Sequence, residues 1–223
     1  NTGGGTWPMY GREMRDHNWR RGGYGVLSVS RSLEVSSNIG VSRVIDQFYH
    51  NNPERFVRGI YRLGLGLDFQ IPLVGSSPAK IRMPKKAPNG QWVNWSNTAL
   101  PWMSIGYETQ VPPISMLAFY NAIANGGKLM RPRFVKKVVK DGVTIMDFPP
   151  EPMKGYEQIC KPRTVKLIQD VLRKVVSQGL AKKAGSNLFQ VAGKTGTAQM
   201  SKGAAGYKSG SVDYLLSFAG YFP

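Results

Sequence analysis

The chain has 223 residues, 41% of them apolar, and 30 Lys and Arg against 13 Asp and Glu give it a formal charge of +17. It is long enough to bury one large core or two small ones, and no apolar run approaches the ~20 residues of a membrane span. The lone Cys160 rules out an intramolecular disulfide and, with His17 and His50, makes no metal-ligand spacing, so neither a metal nor an organic cofactor is expected. Residues 1–25 are rich in Gly, Arg and aromatic residues, with Thr2 and Thr6 as their only aliphatic hydroxyls. Segment 27–64 reads as two helices, one opening near Ser36 and one near Pro53, where proline suits a first helical turn. The first contains Ser36-Ser37-Asn38 ahead of an apolar periodic run (Ile39, Val41, Val44, Ile45, Phe48). Taken alone, that triplet reads as a helix N-cap.

Residues 65–111 form a long Pro-, Trp- and Asn-rich excursion, whose length points to a functional or strand-containing loop. Within it, Ser77-Pro-Ala-Lys80 has the spacing of a serine nucleophile and its lysine base, which need one helical face. Pro72, Pro78, Pro84, Pro88 and Gly75 make that segment a solvated loop instead. Periodicity predicts a helix over 112–126 that stops at Gly126-Gly127. Next, Phe134–Val139 and Val143–Phe148 flank Asp141-Gly142, a favoured hairpin turn. Arg163–Gln178 reads as an amphipathic helix ending at Gly179, and two strands follow, near 189–199 and 212–221, joined by a Gly/Ser/Lys loop over 201–211. Such a helical lobe with antiparallel strands is α+β. The first of these last strands carries Lys194-Thr195-Gly196-Thr197. Its small residues let another peptide lie close, its lysine supplies positive charge, and a threonine amide can donate to an oxyanion.

Ser36-x-Asn38 followed by Lys194-Thr195-Gly196-Thr197 resembles, in order and flanking text, the transpeptidase domain of class B penicillin-binding proteins, most closely the division type. Trp102–Ser115, Leu117–Gly127, Gly193–Gln199 and Phe218–Pro223 extend the resemblance nearly end to end, with Tyr107-Glu108 standing where the family commonly has Gln-Gly. The resemblance implies the penicillin-binding-protein and serine β-lactamase-like fold. It also implies that residues 1–223 are a partial domain cut inside both ends, because no Ser-x-x-Lys precedes Ser36 and the family adds a last strand and helix after Pro223. On this reading the nucleophile is absent and the chain alone is inactive.

For function, the resemblance implies acyl transfer between peptidoglycan stem peptides through an acyl-serine, with β-lactams as inhibitors. Ser36 would relay a proton, Asn38 would hold the substrate amide, and Lys194 would keep the site electropositive. Thr195 or Thr197 would bind the substrate carboxylate, the Thr197 amide would serve the oxyanion, and Gly196 would let substrate lie flat. Expected partners are stem peptides, their lipid-linked precursor and membrane proteins of the division machinery. The expected location is the periplasmic face of the inner membrane, with a single N-terminal anchor outside this chain. Nucleic acid is not expected, since the basic residues are dispersed and carry no recognition motif. The alternatives are an elongation-type enzyme, a β-lactam sensor or a β-lactamase of the same fold.

Overall fold

A computed structural model describes residues 1–200 and 213–222 of the chain. The loop expected over 201–211, and the first residue of the strand expected from 212, lie outside the described residues. The chain opens with a hairpin that the sequence reading missed. Strand β1 (Thr6–Met9) pairs antiparallel with β2 (Arg12–Arg15). Tyr10 and Gly11 turn between them with φ of 47° and 79°, the mirror-image geometry that matches strand twist. Met9 and Met14 point inward and pack with Ile39, Trp7 and Trp102.

Three helices, not two, follow: α1 (Val29–Glu34), α2 (Asn38–Tyr49) and α3 (Pro53–Arg62). At six residues, α1 is too short to show a periodic apolar stripe, and Ser28 caps it by accepting from the Arg31 amide at 3.1 Å. Pro53 opens α3, as read from the sequence, with Asn52 as its cap. The 65–111 excursion contains β3 (Lys80–Ile81), α4 (Ala99–Ser104) and β4 (Thr109–Gln110), the two strands pairing antiparallel. Helix α5 (Pro113–Ala124) and the β5–β6 hairpin (Lys137–Lys140, Val143–Asp147) come next, the latter turning at Asp141-Gly142 with both φ positive. Helix α6 (Pro162–Ser177) leads to β7 (Ala192–Gln199), which pairs antiparallel with β8 (Tyr214–Tyr221). The architecture is α+β, as the sequence indicated, with its described strands paired two by two.

Helix α6 sets the distance between the α1–α2 turn and β7. On one side, Ala192 at the root of β7 is buried with Leu172 of α6 and Ile123 of α5. On the other, the Leu180 amide just past α6 donates to the Glu34 carbonyl at 3.1 Å. Gly179 makes that approach possible: a Cβ there would stand 2.2 Å from the Glu34 oxygen and 2.7 Å from the Val175 oxygen. Both neighbours are backbone and cannot rotate away. Gly179→Ala is therefore expected to destabilise the fold by about 2 kcal/mol, the range of an overpacked core, read as a lower urea midpoint at unchanged slope.

Candidate active site

The two sequence strings meet through one contact. The Lys194 Nζ, on β7, donates to the Ser36 Oγ at the α1–α2 turn, and also to the Thr195 carbonyl at 3.0 Å. These residues are 158 positions apart in sequence. Ser36 is not the helix cap. Ser37 is, accepting from the Gly40 amide at 2.9 Å, so Ser36 is displaced one residue outside α2. There it takes a φ of 49°, a left-handed conformation that few non-glycine residues adopt and that often marks a functional position. Burial holds the Lys194 ammonium below the ordinary lysine value of 10.5.

A buried carboxylate that the sequence reading missed holds this turn in place. Asp16, 1% exposed, accepts the Ser37 hydroxyl at 2.7 Å through one oxygen and the Ile39 amide at 3.0 Å through the other. It thus satisfies an orphan amide in the first turn of α2 and lies at the positive end of its dipole. The neighbouring Arg15 carbonyl accepts from the Asn38 side-chain amide at 3.0 Å. A primary amide carries two donor hydrogens and an acceptor oxygen; Arg15 fixes Asn38 with one of the donors. Glu13 and Asp16 are the only acids before Glu34. That scarcity was the one signal in the sequence, and it named no partner.

Backbone alternation along β7 shows which groups face the open side. The Met200 amide donates to Asp213 beyond the end of β8, whereas the Gln199 amide donates to the Tyr107 Oη at 3.3 Å, away from β8. Successive strand residues turn their N–H and C=O to opposite sides, so Thr195 and Thr197 face away from β8, on the side of Tyr107. Burial runs one way along the strand: Ala192 and Gly193 are buried, Lys194 to Gly196 half-buried, and Thr197 to Gln199 exposed. Gly196 lies opposite Ser217, whose Oγ would be 2.4 Å from a Cβ at that position. A cross-strand reason for this glycine therefore stands beside the substrate-facing one.

Tyr107-Glu108, read in the sequence as the reshaping of a loop, reaches both the end of β7 and Arg82. Tyr107 meets Trp102 edge to face at a centroid distance of 5.5 Å, linking the end of β7 to the core around Met9, Met14 and Ile39. Glu108 has a φ of 62° and pairs with Arg82 at 2.9 Å, side chains 27% and 48% exposed. Left-handed backbone costs a non-glycine residue roughly 1 kcal/mol or more, whereas an exposed ion pair returns roughly 0–1 kcal/mol. Stability alone therefore does not account for this side chain. Ser77 lies exposed on an irregular segment, without the helical face that a working Ser77-x-x-Lys80 would need.

A hydroxyl held by a half-buried lysine, beside a fixed amide and an open strand edge, suits the transfer of an acyl group between peptides. Residues 2–223 match the family described as the penicillin binding protein transpeptidase domain. The chain is 31% identical over 196 residues to penicillin-binding protein PbpB of Mycolicibacterium smegmatis, covering 84% of this chain and 28% of that protein. It is 24% identical over 211 residues to the peptidoglycan D,D-transpeptidase FtsI homolog of Mesostigma viride, covering 88% and 33% respectively. Among solved structures it is similar to penicillin binding protein 3 of Mycobacterium tuberculosis complexed with aztreonam. That match has a TM-score of 0.74 and 26% identity over 98% of this chain and 46% of the other. The chain belongs to the penicillin-binding transpeptidase domain family, on the class B side, and spans about a third or less of the length of these two curated relatives.

Two outcomes follow from the site's geometry. Asp16→Ala removes two hydrogen bonds and strands a buried amide, so a loss of about 2–4 kcal/mol is expected in chemical denaturation. For Lys194, the unfolded chain keeps its proton to a higher pH than the folded one, so burial costs stability below the folded pKa, and the cost is relieved as pH rises toward 10.5. Wild type should therefore gain stability relative to Lys194→Met as urea titrations are carried from neutral pH up toward 10.5. A gap that moves the other way would mean that the site stabilises the ammonium.

Proposed function

We propose that this chain builds most of the substrate groove of a septal peptidoglycan D,D-transpeptidase, a wall cross-linking enzyme blocked by β-lactams. The observation that carries the reading is the Lys194–Ser36 contact, which brings the two family motifs together. The attacking serine belongs to a Ser-x-x-Lys motif outside these 223 residues. Its oxygen bonds to the carbonyl carbon between two D-alanines, the C–N bond breaks, and the terminal D-alanine leaves with a proton passed through Ser36. An amine of a neighbouring strand then attacks the ester, forming the new amide and returning the proton to the serine. Asn38 holds the stem-peptide amide with the groups that Arg15 leaves unused. Thr195 or Thr197 hydroxyls bind the terminal carboxylate beside the positive Lys194, and the outward Thr197 amide is one of the two oxyanion donors.

Among the described residues no helix is long and apolar enough to cross a membrane. Membrane attachment is assigned to an anchor elsewhere in the protein, with this domain in the periplasm among membrane proteins of the division machinery. The structurally similar penicillin binding protein 3 is complexed with aztreonam, which supports reading this chain as part of a β-lactam-binding domain.

Labelling with a fluorescent penicillin tests this reading. The 223-residue chain should take no covalent label, while a longer form extended upstream through a Ser-x-x-Lys should be labelled. In the longer form, Ser36→Ala should slow labelling by about 10²–10⁴-fold, the worth of a positioned proton carrier. Asn38→Ala should slow it by about 10²–10³-fold, as loss of an oriented polar contact does. A label mapped to Ser77, or an unchanged rate for Ser36→Ala, would overturn it.

A further inference from the structure

The β5–β6 hairpin is left uncovered by the rest of the described chain. All nine residues of its two strands are exposed, on both faces, although five of them are apolar. Among the described residues, β5 and β6 pair only with each other. A lone two-stranded hairpin is marginal in water and needs a third strand or a packed face to stand firmly. At its root a cavity of about 370 Å³ opens against residues 69–72, with Phe134, Val135 and Phe148 among its walls. Exposed apolar side chains gathered in this way mark a contact surface, whereas scattered ones do not.

The two outer edges differ. In β6, Ile145 is an extra residue between the partners of Val138 and Val139, and such a bulge spoils an edge as a template. Strand β5 carries no extra residue, so its outward N–H and C=O groups stay evenly placed. Lysines bracket it. Lys140 faces Val143 across the hairpin, and the Lys136 carbonyl accepts from the Phe148 amide at 2.9 Å, so neither has an acid opposite. Residues 131–147 hold five basic side chains and two acidic ones. A second copy of the hairpin would therefore set like charges against each other. A lipid surface would match the charge but leave the open backbone groups without partners in hydrocarbon. A strand that carries acids answers both demands.

We infer that β5 is the docking edge for an extended, acidic segment of a partner protein, which joins the hairpin as a third strand. Its backbone pairs with the outward groups of β5, and its carboxylates meet Lys136 and Lys140. An apolar side chain of the same segment fills the cavity at the root. None of these residues belongs to the Ser36–Lys194 site, and this docking does not depend on the transpeptidase reading.

Three fluorescent peptides of about ten residues test the edge on the full-length protein by anisotropy. One alternates glutamate with valine and threonine, and one has lysine in place of glutamate. The third is the glutamate peptide with two prolines, which remove strand amides. The glutamate peptide should bind about tenfold or more tightly than either of the others, and should slow hydrogen exchange at the outward amides of β5. Lys136→Glu combined with Lys140→Glu should invert the preference between glutamate and lysine. Lys166→Glu combined with Lys174→Glu makes the same change of charge at exposed positions of α6, and should leave that preference within about twofold of wild type. Glutamate and lysine peptides bound alike by wild type, or neither bound, would overturn the inference. So would β5 amides already protected in the protein without peptide, which would mean that its own polypeptide or a second copy covers the edge. Protection of β5 by phosphatidylglycerol vesicles and not by the glutamate peptide would make the occupant a membrane and overturn it too. All of these outcomes are read on wild type, so a variant that misfolds leaves them decisive.

Discussion

The bond from Lys194 to Ser36 is the constraint on which the rest of the molecule depends. A lysine taken largely out of water needs oxygen partners for its hydrogens, and this one finds a hydroxyl and a carbonyl. To present that hydroxyl, the chain must break between α1 and α2, leave Ser36 in a left-handed conformation and let Ser37 cap the next helix. To present the lysine, β7 must be rooted in the core at Ala192 and still emerge with one side open. Helix α6 serves both ends at once, since it packs beneath β7 and, through the Gly179 joint, against the last carbonyl of α1.

Chemistry that depends on short strings of residue types was legible in the sequence; chemistry that depends on a distant partner was not. Ser36, Asn38 and Lys194-Thr195-Gly196-Thr197 stood out because each string is compact and their order matched a known family. Helices α5 and α6 and the Asp141-Gly142 hairpin carried strong local signals of period, stop and turn. The first hairpin escaped notice because its strands are four residues each and interrupted by proline and charge, so that alternation had no length in which to register. Helices α1 and α4, at six residues each, hide for the same reason. Asp16 was invisible as a functional residue because its role exists only once residues 21 and 23 positions later fold back onto it.

The turn at Ser36–Asn38 and the strand at Lys194–Thr197 meet through one contact, and Tyr107-Glu108 lies past the exposed end of that strand. The phenol reaches back to the strand while the neighbouring carboxylate reaches sideways to Arg82. Two adjacent residues therefore tie the end of β7 to the segment around Arg82.

The phenol that occupies the Gln199 amide also sets a limit. An unpaired strand edge is a hazard in any concentrated solution of protein, since a second copy can zip onto it. Here, between the buried root of β7 and the tyrosine stop, Thr195 and Thr197 turn their backbone groups outward, and the Thr195 carbonyl is already taken by Lys194. Two residues suffice to seat a short ligand but are fewer than a strand of ordinary length needs. On this edge a second copy thus finds too few free backbone groups to extend the sheet.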